Sequence, residues 1–524
     1  MSKQESFLQV VNQGYTFKGE FFQLGVGMLD QQAVAGAAVN LPLKTMNRHG
    51  LIAGATGTGK TKTLQVLAEG LSDASIPVVL MDIKGDLSGL AAAGTSGSRI
   101  EERMAMLGKT FQPAAFPVEL MTLSEEQPGV RMRATVSEFG PVLLSKILGL
   151  NDTQQGIVAM IFKFCDDHTM PLLDLKDFIK VIQYISNEGK SELEKDYGRI
   201  STSSTGTILR KVIELQQQGA DAFFGEPSFQ VDDLMRISDD GRGIISIIRV
   251  MELQDRPKLF STFMLSLLAE LYAALPEEGD MDQPKLCLFI DEAHLVFQEA
   301  NEALLQQIET VIKLIRSKGV GIFFCTQNPQ DVPAPVLSQL GLKIQHALRA
   351  FTAADRKVIK TAAENYPLTD YYQVDELLTQ LGIGEAFVTL LNEKGIPSPL
   401  VHTLLLPPRS RMDVLTDAEV EQLVKNSKLV RKYAESLDSE SAHEMITAKL
   451  QEAAERTAAA EAQKAEEKEQ QKESRRPAKK EESFFDNPMV KQAGRTAATV
   501  ITRSLLGALG LGGRSGRSRK SGWF

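Results

Sequence analysis

Residues 54–61 read Gly54-Ala55-Thr56-Gly57-Thr58-Gly59-Lys60-Thr61, the spacing G-x-x-x-x-G-K-[ST]. Glycines so placed let a loop wrap a polyphosphate closely, turning backbone N–H groups inward where a Cβ would collide. A helix opening directly behind the loop adds its unpaired N–H groups and the positive end of its dipole. Lys60 would reach the β- and γ-phosphates as a point charge and Thr61 would offer a hydroxyl to Mg²⁺, with Lys62 completing the candidate nucleotide contacts. The flanks agree: the apolar run Gly50-Leu51-Ile52-Ala53 precedes the loop and a helical pattern runs from Lys62 to Leu71.

A second stretch adds the means to hydrolyse. Lys285-Leu286-Cys287-Leu288-Phe289-Ile290 is an apolar run of the kind that forms a strand buried on both faces of a parallel sheet. It ends in Asp291-Glu292-Ala293-His294. Asp291 at that tip would hold the hydration shell of Mg²⁺, and Glu292, pointing to the other side, would polarise the attacking water. ATP and Mg²⁺ are the cofactors this pair of motifs predicts. A further apolar run, Gly319–Cys325, ends in Thr326-Gln327-Asn328-Pro329. The Gln327 amide would orient the water or sense the terminal phosphate there, whereas Asn328-Pro329 equally favours a simple turn.

These residues need a scaffold. The pattern predicts a β-α-β unit over 46–94, with a strand at 50–53, a helix at 60–71 and a strand at 77–82. About 200 residues then pass before the Asp291 strand, too many for a loop. Much of that stretch is periodic near 3.6, as in Val142–Leu148, Thr153–Asp166, Leu173–Glu188 and Thr207–Gln218, and reads as a helical insertion over about 100–240. Strand patterns resume at 243–250 and 319–325, with helical ones at 257–274 and 301–316. Such β/α alternation predicts an α/β fold with a mostly parallel, doubly wound sheet and the nucleotide at the C-terminal ends of its strands.

Four segments follow. Residues 1–45 read as a small β-type lead-in, 46–410 as the ATPase core, 411–483 as a charged helical spacer and 484–524 as a basic tail. The spacer is rich in Ala, Glu, Lys and Gln, with a long helical run at Ala448–Glu473 and too few large apolar residues for a heptad seam. The tail carries seven Lys/Arg against the single carboxylate Asp486. Val490, Ala493, Ala497, Val500, Ile501, Leu505, Leu506 and Leu509 recur there at helical spacing. That combination suits an anionic surface, either nucleic acid or the headgroups of a membrane; its plain counterpart is a disordered Gly/Arg/Ser-rich end.

Composition narrows the class. Hydrophobic content of 43% with 24% charged residues is that of a soluble globular chain. The three cysteines, Cys165, Cys287 and Cys325, lie far apart with no zinc-like spacing, so they read as buried thiols in a reducing compartment. Neither a signal-peptide pattern nor an apolar run of membrane-spanning length occurs, which predicts a cytoplasmic protein. A net charge of −9 argues against a protein that coats DNA with its whole surface, but not against a ring with a basic channel.

Arg48-His49, Gly54–Thr61, Asp82-x-Lys84-Gly85, Asp291–His294, Arg316–Gly321 and Thr326–Pro329, in that order, resemble the HerA–FtsK group of P-loop motors and, within it, a bacterial HerA-like helicase family. The likeness covers about 46–405. It implies a RecA-like core, a hexameric homo-oligomer, and ATP hydrolysis coupled to movement along DNA. It also implies that Arg316 falls where the family carries an arginine finger donated to a neighbouring subunit, with Arg48 as a second candidate. Forty-five residues before the core are few for the β-barrel with which HerA proteins dock a nuclease, so a nuclease partner does not follow. Asp-Glu-Ala-His also spells a motif of superfamily-two helicases, but those need tandem RecA-like domains and an arginine-rich Q-R-x-G-R-x-G-R stretch. After Phe324 only Arg349, Arg356 and scattered arginines occur. A rival of another class is an ATP-gated clamp or assembly switch that never translocates.

Overall fold

The computed structural model describes residues 2–474 apart from 125, 280, 299, 301, 436 and 438. One compact unit runs to Leu450 and a second begins at Gln451. The tail at 484–524 lies outside the described residues.

The first unit is built on one sheet, twelve-stranded among the described residues. In chain order its strands are β1 (Phe21–Leu29), β2 (Gln32–Pro42), β3 (Gly50–Ala53), β4 (Val78–Asp82), β5 (Val118–Thr122), β6 (Val130–Arg131), β7 (Ile245–Arg249), β8 (Leu286–Ile290), β9 (Val320–Thr326), β10 (Leu342–Gln345), β11 (Glu385–Leu390) and β12 (Val401–Leu405). Across the sheet they lie in the order β2-β1-β12-β11-β10-β3-β9-β8-β4-β7-β5-β6. From β10 to β6 every pairing is parallel; from β10 to β2 every pairing is antiparallel.

Continuous apolar runs become parallel strands here because helices cover both faces. β8 illustrates it: Leu286, Leu288 and Ile290 join the core on one side, while Cys287 and Phe289 join the core on the other. Phe289 stacks on Phe323 of the neighbouring β9 with ring centroids 4.6 Å apart. On the first side lie the insertion's helices from Val136 onward together with Pro257–Ala274 and Glu302–Ile315; on the second lie α1 (Lys3–Tyr15), α2 (Lys60–Asp73) and the helix Ser98–Met106.

Three expectations change. The lead-in opens with α1, capped by a reciprocal Ser2–Glu5 pair, and its β1–β2 hairpin continues the same sheet through β12. The insertion opens with the helix Ser98–Met106 and supplies β5 and β6 before its helices resume at Val136, so it is not helical throughout. The compact unit also extends past 410. Leu415 and Val420 enter one core; Leu429, Tyr433, Ala442 and Ile446 enter the other. The buried Asp177 carboxylate fixes this last part by accepting from Ser441 Oγ at 2.5 Å and His443 N at 3.0 Å. Only further along does the helix Ala442–Ser474 become the solvated rod that its composition predicts. All three cysteines are free and buried, and no helix among the described residues is long and apolar enough to cross a membrane.

Candidate functional site

The candidate residues meet at the C-terminal tips of three neighbouring strands. β9 separates β3, which carries the glycine-rich loop, from β8, which carries Asp291 and Glu292. Backbone hydrogen bonds tie the tips together: Gly54 N donates to Thr326 O at 3.2 Å, and Ala293 N to Cys325 O at 2.8 Å. The loop is held from the other side as well. Ala55 N donates to Ala347 O at 2.8 Å, and Gly384 N to Thr58 O at 3.1 Å. Gly54 sits at φ +154°, and a Cβ on it would come within 2.5 Å of His346 Cβ, so no side chain fits there.

Lys60 is buried and folds back over its own loop, donating to the carbonyls of Gly54 at 2.6 Å and Ala55 at 3.1 Å. Burial, then repulsion from Lys84, holds its ammonium below the usual lysine range, although Glu292, Cys325 and Asp291 pull it back up. Thr56 and Gly57 form the exposed crest of the loop, Gly59 caps α2, and Thr61 stands half-buried in its first turn. Lys62 behaves differently: its Nζ donates to Met412 O at 2.5 Å, behind the loop.

Asp291 is 5% exposed, and its Oδ2 is buried with no hydrogen-bond partner among the described residues. Burial pushes its carboxyl up to about 7, with Lys84 pulling it down and Glu292 adding to the rise. An orphaned carboxylate oxygen is the atom that a divalent cation or its hydration shell would take, so the donor set fits Mg²⁺. No cage of three or more His, Cys, Asp or Glu occurs among the described residues, so the ion would depend on phosphate oxygens and Thr61 for its other ligands.

Glu292 adopts φ +46°, a left-handed conformation uncommon for a residue with a Cβ. Its buried carboxylate pairs through Oε1 with Lys84 Nζ, and Oε2 lies 3.3 Å from His294 Nδ1. Burial raises the Glu292 carboxyl, but the bond and charge of Lys84 outweigh that and hold it below the ordinary range. Gln327 is exposed at the tip of β9, beside both motifs. Asn328 is a turn residue: its Oδ1 accepts from Gln330 N at 3.3 Å and its N–H donates to Asp331 Oδ2 at 3.1 Å.

The two arginines lie elsewhere. Arg48 precedes β3 at the opposite end of the strands, and its guanidinium donates to Asn392 O at 3.1 Å and Glu393 O at 3.3 Å. Arg316 precedes β9, also at that far end, and is exposed. The seven residues of β9 place it roughly 20 Å from the loop of its own chain.

Sequence reasoning missed the residues that brace the loop. His346 is fully buried, its Nε2 lies 2.9 Å from Thr63 Oγ1, and burial followed by repulsion from Lys60 lowers its imidazole to about 4, leaving it neutral. Arg103 donates to the carbonyls of Ile383 at 2.6 Å and Gly384 at 3.0 Å, fixing the segment that touches Thr58. Neither had a local signal, because both reach the loop from distant parts of the chain.

A phosphate-cradling loop in the middle of a parallel sheet, with an acidic pair one strand removed, defines a RecA-like P-loop ATPase fold. The model of the helicase HerA-like C-terminal family matches residues 28–518, and the chain belongs to that family. Among solved structures it is similar to the bacterial conjugative coupling protein TrwBdeltaN70 in an unbound monoclinic form. That pair shares 14% identity with a TM-score of 0.50, over 79% of this chain and 95% of that one. It is also similar to the plasmid coupling protein TrwB in complex with the non-hydrolysable ATP analogue ADPNP, at 12% identity and a TM-score of 0.51, over 78% and 94%. No curated protein matches the chain.

Proposed function

We propose that this protein is a Mg²⁺-dependent ATPase that works as a DNA translocase or helicase, in a ring, hexameric by resemblance, made of copies of itself. The observation that carries the ATPase reading is the orphaned, buried Asp291 oxygen beside Glu292, one strand away from the Lys60 loop. Membership of a helicase HerA-like family supports the step from ATPase to DNA motor. TrwB, a coupling protein of the same fold, has been captured with an ATP analogue.

In this reading Lys60 exchanges the carbonyls of Gly54 and Ala55 for phosphate oxygens, while the N–H groups of residues 57–61 cradle the polyphosphate. Thr61 and Asp291 hold Mg²⁺, which when bound neutralises charge on the phosphates. Glu292 takes the proton of the attacking water, and Gln327 at the adjacent tip orients that water. Arg316, too distant to serve its own chain, is offered to the site of a neighbouring copy. Lys62, turned toward Met412, supports the loop helix rather than the nucleotide.

Turnover measured with Mg²⁺, alone and with single- and double-stranded DNA, alongside a mass measurement, tests the reading. DNA should stimulate the wild type many-fold, Lys60→Ala should lose tight ATP binding, and Glu292→Gln should bind ATP without hydrolysing it. Wild-type turnover by Glu292→Gln would remove its assigned role. Turnover indifferent to DNA would favour the ATP-gated clamp.

A further inference from the structure

We propose that Lys84 is a latch on Glu292 that a nucleoside triphosphate opens. Its ammonium pairs with the Glu292 carboxylate and transfers to the terminal phosphate, so that Glu292 is released to the water only when that phosphate is in place. This rests on the nucleotide-binding reading above.

The pair as it stands makes Glu292 a poor general base. Glu292 Oε1 is engaged by Lys84 Nζ, while Oε2, buried 3.3 Å from His294 Nδ1, accepts no hydrogen bond among the described residues, so the carboxylate that would take the proton of water is neutralised by the ammonium on its other oxygen. Breaking the contact restores the full charge of the carboxylate. An ammonium leaves a buried carboxylate readily only for a stronger anion, and a terminal phosphate is one.

The geometry assigns the motion to the lysine. The Glu292 side chain is 7% exposed and the Lys84 side chain 40%, so the carboxylate is walled in while the lysine stem lies partly in solvent. The base of that stem is rigid. Asp82, at the tip of β4, accepts from Gly85 N at 2.7 Å, Asp86 N at 3.2 Å and Leu87 N at 3.2 Å, fixing the turn that presents Lys84. Gly85 adopts φ +76°, and a Cβ there would lie 2.4 Å from Met251 Sδ, so glycine suits this tight turn, and the exposed stem of Lys84 is the part left to swing.

Lys84 follows the C-terminal tip of β4, at the same edge of the sheet as the Lys60 loop, with only β8 and β9 between β4 and β3. Burial, then repulsion from Lys84, lowers the proton affinity of the Lys60 ammonium, and Lys84 is attracted by Asp291 as well as Glu292. Two ammonium groups that repel one another at the tips of nearby strands are relieved by a polyanion lodged between them.

The test is equilibrium binding of fluorescent ATPγS and ADP, with Mg²⁺, to the full chain. Glu292→Gln removes the anion that competes for Lys84, so it should tighten ATPγS by about threefold to tenfold over ADP, the range of coupling between contacting residues. Lys84→Met should weaken ATPγS by a similar factor and leave ADP unchanged, and Lys84→Arg should keep most of the triphosphate preference. In the double variant the Glu292→Gln gain should vanish. A gain that persists in the Lys84→Met background overturns the latch, as does equal weakening of both nucleotides by Lys84→Met. Unaltered triphosphate preference in Glu292→Gln alone also overturns it, without touching the lysine. A wild type that binds neither nucleotide overturns the nucleotide reading itself, and the latch with it.

Discussion

Asp291 and Glu292 are adjacent carboxylates with opposite fates. Burial drives Asp291 up to about 7, whereas the Lys84 ion pair holds Glu292 below its ordinary range despite burial. Environments that push neighbouring titratable groups apart are how one site acquires distinct roles for them. The stability consequence has a definite sign. Between the ordinary value of 3.8 and about 7 the folded protein binds a proton at Asp291 that the unfolded chain has released, so this residue's contribution to stability falls as pH rises through that window. Asp291→Asn should therefore raise stability at pH 8 by on the order of 2 kcal/mol, with a smaller gain at pH 5, while abolishing the Mg²⁺ dependence of nucleotide binding. Thermal melts at the two pH values check it; a gain independent of pH would mean that the buried charge is not its source. The identities of both residues were legible in the sequence as a strand-end acidic pair, but their protonation was not. It depends on burial and on Lys84, which reaches Glu292 from the turn after β4.

At the scale of elements, α2 carries the loop lysine at its first position and is itself anchored by a buried carboxylate. Glu69 is 3% exposed and accepts from Arg409 N at 2.9 Å, Ser410 N at 3.0 Å and Ser410 Oγ at 2.6 Å, lashing the segment after β12 to the helix. Glu69→Ala would leave those donors without an acceptor and should cost about 2–4 kcal/mol, read by chemical denaturation. A change under about 0.5 kcal/mol would show that water replaces the carboxylate at no cost. Elements with strong apolar runs were legible: β8 was expected at 285–290 and β9 at 319–325, and each is found within a residue. Two-residue β6 and five-residue β5 were not: β6 is too short to leave a signal, and Glu119 interrupts the apolar run of β5, which β8 at the same length keeps unbroken. The helix α1 was missed as well, although Phe7, Val11 and Tyr15 lie on one face and are buried.

For the whole molecule, the placement of Arg316 matters most. Arg316 is exposed at the end of the strands opposite to the loop, too far to serve the site of its own chain, and its proposed role is in the site of another copy. Arg316→Ala should leave nucleotide affinity nearly unchanged and cut turnover by about 10³-fold or more, the scale of an arginine-finger loss. Mixing it with the Lys60→Ala protein should restore part of the activity, because some interfaces would then join an intact loop to an intact finger. Demonstrated mixed assemblies with no recovered turnover would end the trans assignment. Arg48 has a simpler occupation, holding the carbonyls of Asn392 and Glu393 in its own chain.

Local chemistry made the motifs readable in one dimension. A phosphate loop needs its glycines, lysine and threonine in consecutive positions, and a strand buried on both faces must be apolar throughout, so both leave contiguous traces. The joining of those motifs into a site belongs to the tertiary structure alone. β9 enters between β3 and β8, His346 and Gly384 close around the loop, and Lys84 meets Glu292 across more than 200 residues of chain. The same holds for the extent of the compact unit. Charged composition marked 411–450 as spacer, yet Leu415, Leu429, Tyr433 and Ile446 are buried because the sheet and the insertion offer them apolar surface. Burial depends on what the rest of the chain places opposite a residue, and no local pattern encodes that.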